Sequence, residues 1–530
     1  VFLRVAPWLV AAAGGALWAL PFGIEPQILA PWLALVPLFL LLGVGRRRTA
    51  FGLGWVHGTV FWLVSIPWIA PTLETFGSLP GWLAKLLLLA LALYLGLYTA
   101  LFAALGAPLW RRLPWAGALV CLPALWVALE WVRGWMLTGF PWNLAGYAWT
   151  DVAGALPLGA WIGVWGVSYL MVWANCGVAL ALRAFRGAPR RERLRWRPAA
   201  AGLLVPLLLL ALAGRFAVPE VRVEGYPMPA SGAPVRIVQP AIYNQVGYDP
   251  EVTREDYSRL IRMSVEACDQ PGALVVWPES AAWPFELARD PLLARDVELL
   301  TSSPNGCALL MNSTFRTDGA GAEADAVYFN SAYLVAPGSP SPGGPAAGAR
   351  TVRYDKRHLV PFGEYVPLAG VFSFLDHLAR NAGAYTAADG ITLLPWGSER
   401  LGAAICFEIT FPSEVAELVR AGASALVTLT NDAWYGDTAA PRQHFRAARW
   451  RAAETGRPLI RAAITGISAV VGPDGSVRRH LGVGKAGILR AHLAGRHETT
   501  LFVRAPWAVP AFAVALAAFG IIFASRRSNR

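Results

Sequence analysis

Leu401-Gly402-Ala403-Ala404-Ile405-Cys406-Phe407-Glu408 runs five small or apolar residues into a cysteine, with an acid two places on. The run reads as a buried strand that stops at Cys406. Phe411 to Gly422 (FPSEVAELVRAG) follows with helical spacing and a glycine stop. A cysteine between a buried strand and a helix sits at a sharp turn, where its sulfur projects into a cleft and a helix N-terminus favours thiolate. Taken alone, the stretch fits an inert core thiol at least as well, because free cysteine is among the most buried residue types.

The surrounding texture is layered. Between 215 and 504, short apolar runs (235–239, 273–277, 307–311, 402–405, 425–430, 468–472) alternate with stretches of helical spacing (251–268, 286–302, 411–421, 439–456). Strands interleaved with helices predict an α/β domain of two packed kinds of layer. The stretch 337–349 (PGSPSPGGPAAGA) reads as a loop.

The rest of the chain has a different composition. Of 530 residues, 55% are hydrophobic and only 15% charged, against about a quarter charged in soluble proteins. Eight apolar runs stand out, 6–22, 28–44, 51–71, 83–106, 114–132, 157–182, 199–214 and 505–524, and most approach the ~20 residues that cross a bilayer, the first and seventh being short. The first is followed at once by a second and has no clear small-residue cleavage site, so it reads as a span. The chain therefore divides into 1–214, a polytopic helical membrane bundle with spans 1 to 7; 215–504, the α/β domain; and 505–530, span 8 with a tail.

Orientation follows from arginine. Arg46, Arg47 and Arg48, then Arg111 and Arg112, then seven arginines from Arg183 to Arg197, and finally Arg526, Arg527 and Arg530 all fall on one side of the predicted spans. The positive-inside rule makes that side cytoplasmic, with both termini. The 215–504 domain then faces outward. The net charge of +12 is used in this way, at the ends of apolar runs, and does not form a nucleic-acid footprint.

Five cysteines (Cys121, Cys176, Cys268, Cys307, Cys406) and seven histidines show no CxxC and no metal-ligand spacing, so no metal or cofactor is expected. Cys268 and Cys307 are free to pair, but sequence does not decide that.

Two further ionisable residues stand in unusual company. Glu279 ends Val275-Val276-Trp277-Pro278-Glu279-Ser280, where a poorly solvated carboxylate suits a general base, although a strand-end acid capping the next helix fits equally. Lys356 lies in Tyr354-Asp355-Lys356-Arg357-His358-Leu359-Val360-Pro361-Phe362-Gly363-Glu364. Of 46 basic residues only Lys85, Lys356 and Lys485 are lysine. A compact ammonium is not replaced by a planar guanidinium, so its survival is either functional or chance. Glu364 pairs with Lys356 across the Pro361-Phe362-Gly363 turn or is a loop acid. An acid, a lysine and a cysteine in that order compose a nucleophilic site: base, oxyanion donor and nucleophile.

On these residues the chain resembles the nitrilase (carbon–nitrogen hydrolase) superfamily, with WPES at 277–280, K-x-H-L-V-P-F-G-E at 356–364, ICFE at 405–408 and NDAWYG at 431–436. With spans in front and behind, and Thr138-Gly139-Phe140-Pro141-Trp142 in an outward loop, it is similar to the bacterial apolipoprotein N-acyltransferases. The resemblance implies an αββα sandwich on a transmembrane bundle in the bacterial inner membrane, with the sandwich in the periplasm. It also implies ping-pong transfer of an acyl chain from a phospholipid, usually phosphatidylethanolamine, through a cysteine thioester to the α-amine of the S-diacylglyceryl cysteine of an apolipoprotein. Carried over by motif, Glu279, Lys356 and Cys406 form the triad, and Glu364, Phe407 and Glu408 support it. The family's Cys-Tyr-Glu has Phe407 at its centre here. Tyr248, in Tyr248-Asp249, stands where the family has a tryptophan, and Trp434 of NDAWYG is a second candidate substrate contact.

A membrane-anchored amide hydrolase uses the same triad, and differs in whether water or an amine resolves the thioester. A transporter is disfavoured because, apart from Glu130 and Lys85, the spans hold almost no ionisable residues. The apolar stretch 365–376 (YVPLAGVFSFLD) is either a lid over the site or a segment packed on the sandwich.

Overall fold

In a computed structural model of the chain, residues 2–25, 27–77, 79–186, 196–215, 232–243, 249–317, 326–337, 351–365 and 385–527 are described. Tyr248, nearly all of the expected lid and all but the first residue of the 337–349 loop lie outside them. The chain forms two compact units: residues 1–74, 79–217 and 505–530, and residues 75–78 with 218–504.

The first unit is helical. Six helices among the described residues are long and apolar enough to cross a membrane, including Gly81–Arg112, Trp115–Arg133, Ala155–Phe185 and Ala508–Arg526. A pair bent by 53°, Arg47–Ser65 with Ile69–Thr75, makes up to seven. The expected run 28–44 is not one span. It folds as a 3-10 turn, Ala30–Trp32, and a short helix, Val36–Leu41. Pro31 and Pro37 each remove a backbone donor there, and Leu35 N and Pro31 O, which an unbroken helix would pair, bond to Asn175 instead. Its Oδ1 accepts from Leu35 N at 3.0 Å, and its Nδ2 donates to Pro31 O at 2.7 Å. A buried amide that satisfies broken backbone is what makes such a break tolerable in an apolar bundle.

Among the described residues, the second unit holds two six-stranded sheets. The strands in chain order are β1 (Ala233–Gln239), β2 (Leu274–Val276), β3 (Ala308–Thr317), β4 (Val327–Val335), β5 (Thr351–Asp355), β6 (Leu394–Trp396), β7 (Glu399–Ile405), β8 (Ala425–Thr430), β9 (Leu459–Ala463), β10 (Ser468–Val471), β11 (Val477–Leu481) and β12 (Gly487–Leu493). One sheet runs β12-β1-β2-β3-β4-β5 and the other β11-β10-β9-β8-β7-β6. β1, β2 and β3 are parallel, as are β7, β8 and β9. Alternate residues explain the layering. Val235, Ile237, Leu274, Val276 and Leu310 meet Ala403, Ile405, Val427 and Leu429 in a core between the sheets. Val275, Trp277 and Leu309 point the other way, under helices Pro250–Ala267 and Pro291–Thr301. Ala404 and Leu426 do the same under Pro412–Arg420 and Ala440–Thr455. Strands covered on both faces need apolar residues at every position, which is why they read as continuous runs. The result is α, β, β, α in four layers.

Cys268, just past the end of helix Pro250–Ala267, and Cys307, just before β3, form a disulfide.

Candidate active site

Parallel strands deliver their C-terminal ends to one edge, and the candidate residues lie on those ends. Glu279 follows β2, Lys356 follows β5, and Cys406 follows β7. Lys356 Nζ lies 3.8 Å from Glu279 Oε1 and donates to Glu364 Oε1 at 2.9 Å. The pairing of Glu364 with Lys356 across the turn is therefore realised. The other sheet reaches the same point through Asn431, just after β8, whose N–H donates to Glu279 Oε2 at 2.9 Å. Glu279, Lys356 and Cys406 are all buried, Lys356 to 1% exposure.

Three residues of the site carry backbone strain. Ser280, Phe362 and Cys406 have φ of 58°, 61° and 53°, values that side chains other than glycine seldom adopt. Such outliers persist only where surrounding bonds fix them, and Cys406 is fixed on both sides. Its carbonyl accepts from His444 Nε2 at 3.0 Å. Behind the ring, His444 Nδ1 is 3.1 Å from Asp432 Oδ1, and Arg461 donates to Asp432 Oδ2 at 2.7 Å. Burial works against the Asp432 carboxylate, but Arg461 and His444 hold it down at about 2. Burial and then Arg461 push the His444 ring below its ordinary value, while Asp432 and the Cys406 carbonyl act in the opposite sense.

On the other side is Glu408. Its Oε1 accepts from Arg357 N at 2.7 Å, His358 N at 3.1 Å and the Tyr354 hydroxyl at 2.9 Å; its Oε2 accepts from Ile405 N at 2.7 Å. One carboxylate thus ties the turn that carries Cys406 to the loop that carries Lys356. Phe407 packs edge-on against Phe411 with centroids 5.1 Å apart, an apolar role that needs no hydroxyl. Trp434 is 40% exposed on the 3-10 turn Asp432–Tyr435. Among the described residues, no group of three or more His, Cys, Asp or Glu is placed to hold a metal ion.

The expected thiolate is not what the site favours at rest. Burial, and then Glu279, push the Cys406 thiol well above its ordinary value; Lys356 and Thr430 pull it down by less. The turn that starts at Cys406 is a five-residue 3-10 segment, too short for a helix-end field to outweigh that burial. Lys356 has the opposite balance. Burial disfavours its charge, but Glu364, Glu279, Cys406 and Glu408 together raise it, so the ammonium persists. The arrangement is a neutral thiol, a fixed cation and a nearby carboxylate, which can move one proton and steady one oxyanion.

Sequence reasoning missed Asn330, His444, Arg461 and the acceptor network of Glu408. Asn330 donates to Glu279 Oε1 at 3.0 Å and to Glu364 Oε1 at 2.7 Å. The available signal was an asparagine inside the apolar strand VYFNSAYLV.

Comparison with known proteins adds the following. Residues 14–177 match the family model for the apolipoprotein N-acyltransferase N-terminal domain, and residues 235–498 match carbon-nitrogen hydrolase. The chain is 35% identical over 479 residues to the apolipoprotein N-acyltransferase of Geobacter metallireducens, covering 89% of this chain and 86% of that one. It is 34% identical over 546 residues to that of Azotobacter vinelandii, covering 98% and 96%. With the protein of the same name from Bradyrhizobium diazoefficiens the identity is 32% over 537 residues, covering 98% and 94%. Among solved structures, an amidase from Nesterenkonia sp. is similar at 20% identity and a TM-score of 0.35, covering 52% of this chain and 95% of that one.

Proposed function

Because the chain belongs to the apolipoprotein N-acyltransferase family and is a multi-pass bacterial membrane enzyme, we propose that it acylates apolipoproteins through a thioester on Cys406. The donor is a phospholipid, phosphatidylethanolamine in the first instance, and the acceptor is the α-amine of an S-diacylglyceryl cysteine. The observation that carries this reading is the buried set Glu279, Lys356 and Cys406 on three strand ends, in a chain that also supplies a membrane bundle.

The chemistry follows from the charges. Glu279 takes the thiol proton as sulfur attacks the donor's ester carbonyl. Lys356 faces the oxygen on which negative charge develops. The carbon–oxygen bond breaks, the lysophospholipid leaves with the proton from Glu279, and the acyl chain stays on sulfur. The lipoprotein amine then attacks the thioester, the amide forms, and the thiol is restored. A thiol held neutral until the carbonyl arrives is spared side reactions. Trp434 supplies an aromatic wall near the incoming chain, and Tyr248 a second contact.

The test is direct. Purified protein given phosphatidylethanolamine labelled in its acyl chains, without acceptor, should acquire label that hydroxylamine removes. Label in the headgroup should not transfer, and Cys406→Ser should stay unlabelled. Equal labelling of Cys406→Ser would remove Cys406 as the nucleophile.

We place the catalytic domain in the periplasm, with both termini in the cytoplasm. The arginine clusters support this, and so does the Cys268–Cys307 disulfide, which belongs in an oxidising compartment. A C-terminal reporter that is active only in the periplasm would contradict it.

A further inference from the structure

Asn330 sits in the middle of β4 and is 8% exposed. A buried amide is costly unless its hydrogen bonds are made, and those of Asn330 are. Both Nδ2 protons go to carboxylates, at Glu279 Oε1 and Glu364 Oε1. Its Oδ1 accepts from Asn312 Nδ2 at 2.6 Å. Asn312, on β3 and 7% exposed, also donates to Ser331 O at 2.9 Å, and its Oδ1 accepts from Ser280 N at 2.9 Å. The amide orientations are forced, because ionised carboxylates only accept and a backbone N–H only donates. The bonds close a ring from the Glu279 side chain through Asn330 and Asn312 to Ser280, the strained residue next to Glu279.

The charges make this ring more than packing. Two carboxylates face one ammonium, so the pair is relieved if one of them takes a proton. Glu364 Oε1 receives Lys356 and Asn330, and its Oε2 receives Val360 N at 2.8 Å. Among the described residues, Glu279 receives Asn330 and Asn431 N, with Lys356 at 3.8 Å. Without Asn330, Asn431 N still reaches Glu279, while Glu364 keeps Lys356 and Val360 N. The other titratable groups that act on Glu279 are Lys356, Cys406, Tyr385 and Tyr435. Burial raises both phenols and the thiol, and the surrounding carboxylates keep Lys356 charged.

We propose that Asn330 is a positioning residue that keeps Glu279 ionised, and so competent as the base, through a donor pair shared with Glu364. This rests on the reading of Glu279 as the base of the acylation step. The test is single-turnover acylation by labelled phosphatidylethanolamine as a function of pH, using the full chain in detergent. Asn330→Ala should move the acid limb of the rate upward by about one to two pH units, the loss expected for a hydrogen bond to a charged group. The rate should return to within a few-fold of wild type at the alkaline end. Asn312→Ser, which leaves Asn330 in place but removes the donor to its Oδ1, should give a smaller shift in the same direction. An unmoved limb overturns the proposal, as does an equal fractional loss at every pH. If Asn330→Ala does not fold, the limb in Asn312→Ser decides in the same way. Glu279→Gln should be inactive throughout. Acylation by that variant would defeat the reading of Glu279 itself, whatever Asn330 does.

Discussion

Lys356→Arg should lower single-turnover acylation by ~10²–10³, the typical cost of removing one oxyanion donor, although it keeps the positive charge. The ammonium is 1% exposed, bonded to Glu364 at 2.9 Å and held 3.8 Å from Glu279. A guanidinium is planar and larger, and presents its protons as a fork. In that volume it must displace Glu364 or occupy the place of the substrate carbonyl. Charge is not the variable, because the neighbouring carboxylates keep either cation protonated. The readout is acyl-enzyme formation in detergent, with folding checked by thermal melt. Near wild-type acylation by a folded Lys356→Arg would sink the oxyanion role and weaken the triad with it.

Glu408→Ala should cost stability and activity together. The carboxylate accepts from three backbone N–H groups, of Ile405, Arg357 and His358, and from the Tyr354 hydroxyl, and is 3% exposed. Removing it leaves the Ile405 N–H and the Tyr354 hydroxyl buried without an acceptor, at ~1–3 kcal/mol each, while the half-buried N–H groups of Arg357 and His358 lose theirs at less cost. A total of roughly 3 kcal/mol or more is a large part of the ~5–15 kcal/mol that holds a typical domain folded. The melting temperature should fall by roughly 5–10 °C. Acylation should fall further than unfolding explains, because the same oxygens fix the Cys406 turn and the Lys356 loop. Glu408→Gln retains the volume and one acceptor oxygen, so it should lie between. A melt for Glu408→Ala within ~2 °C of wild type, a shift worth under ~1 kcal/mol, would mean that water replaces the carboxylate.

The parts of this architecture that were readable in sequence are those where one physical demand dominates. Strands covered on both faces must be apolar, so β2, β7 and β8 announced themselves, and the residues that end them drew attention to Glu279 and Cys406. Where two demands compete, the pattern is lost. β4 must pack in a core and also hold Asn330 against two acids. β9 carries Arg461, 0% exposed, to reach Asp432. Helix Ala440–Thr455 was legible as a helix from its spacing, but the burial of its arginines was not: Arg449 and Arg451 donate to the carbonyls of Gly475 and Thr410. A polar residue that serves backbone carbonyls looks the same in sequence as one that serves water. The 28–44 run failed for a related reason, since the amide that repairs its break lies far along the chain at Asn175.

The pairing of β1 with β12 sets a schedule. Ala233 lies opposite Leu493 in that antiparallel ladder, so the first strand to be made on its sheet waits for the last. At roughly 5–20 residues per second of synthesis, the intervening chain takes roughly 13–50 s to appear. Throughout that interval one edge of β1 has no partner, in a domain built around apolar strands. An open edge of that kind invites pairing with foreign chains. The nascent chain therefore has a window of vulnerability, and it closes only when residues just ahead of the apolar helix Ala508–Arg526 arrive.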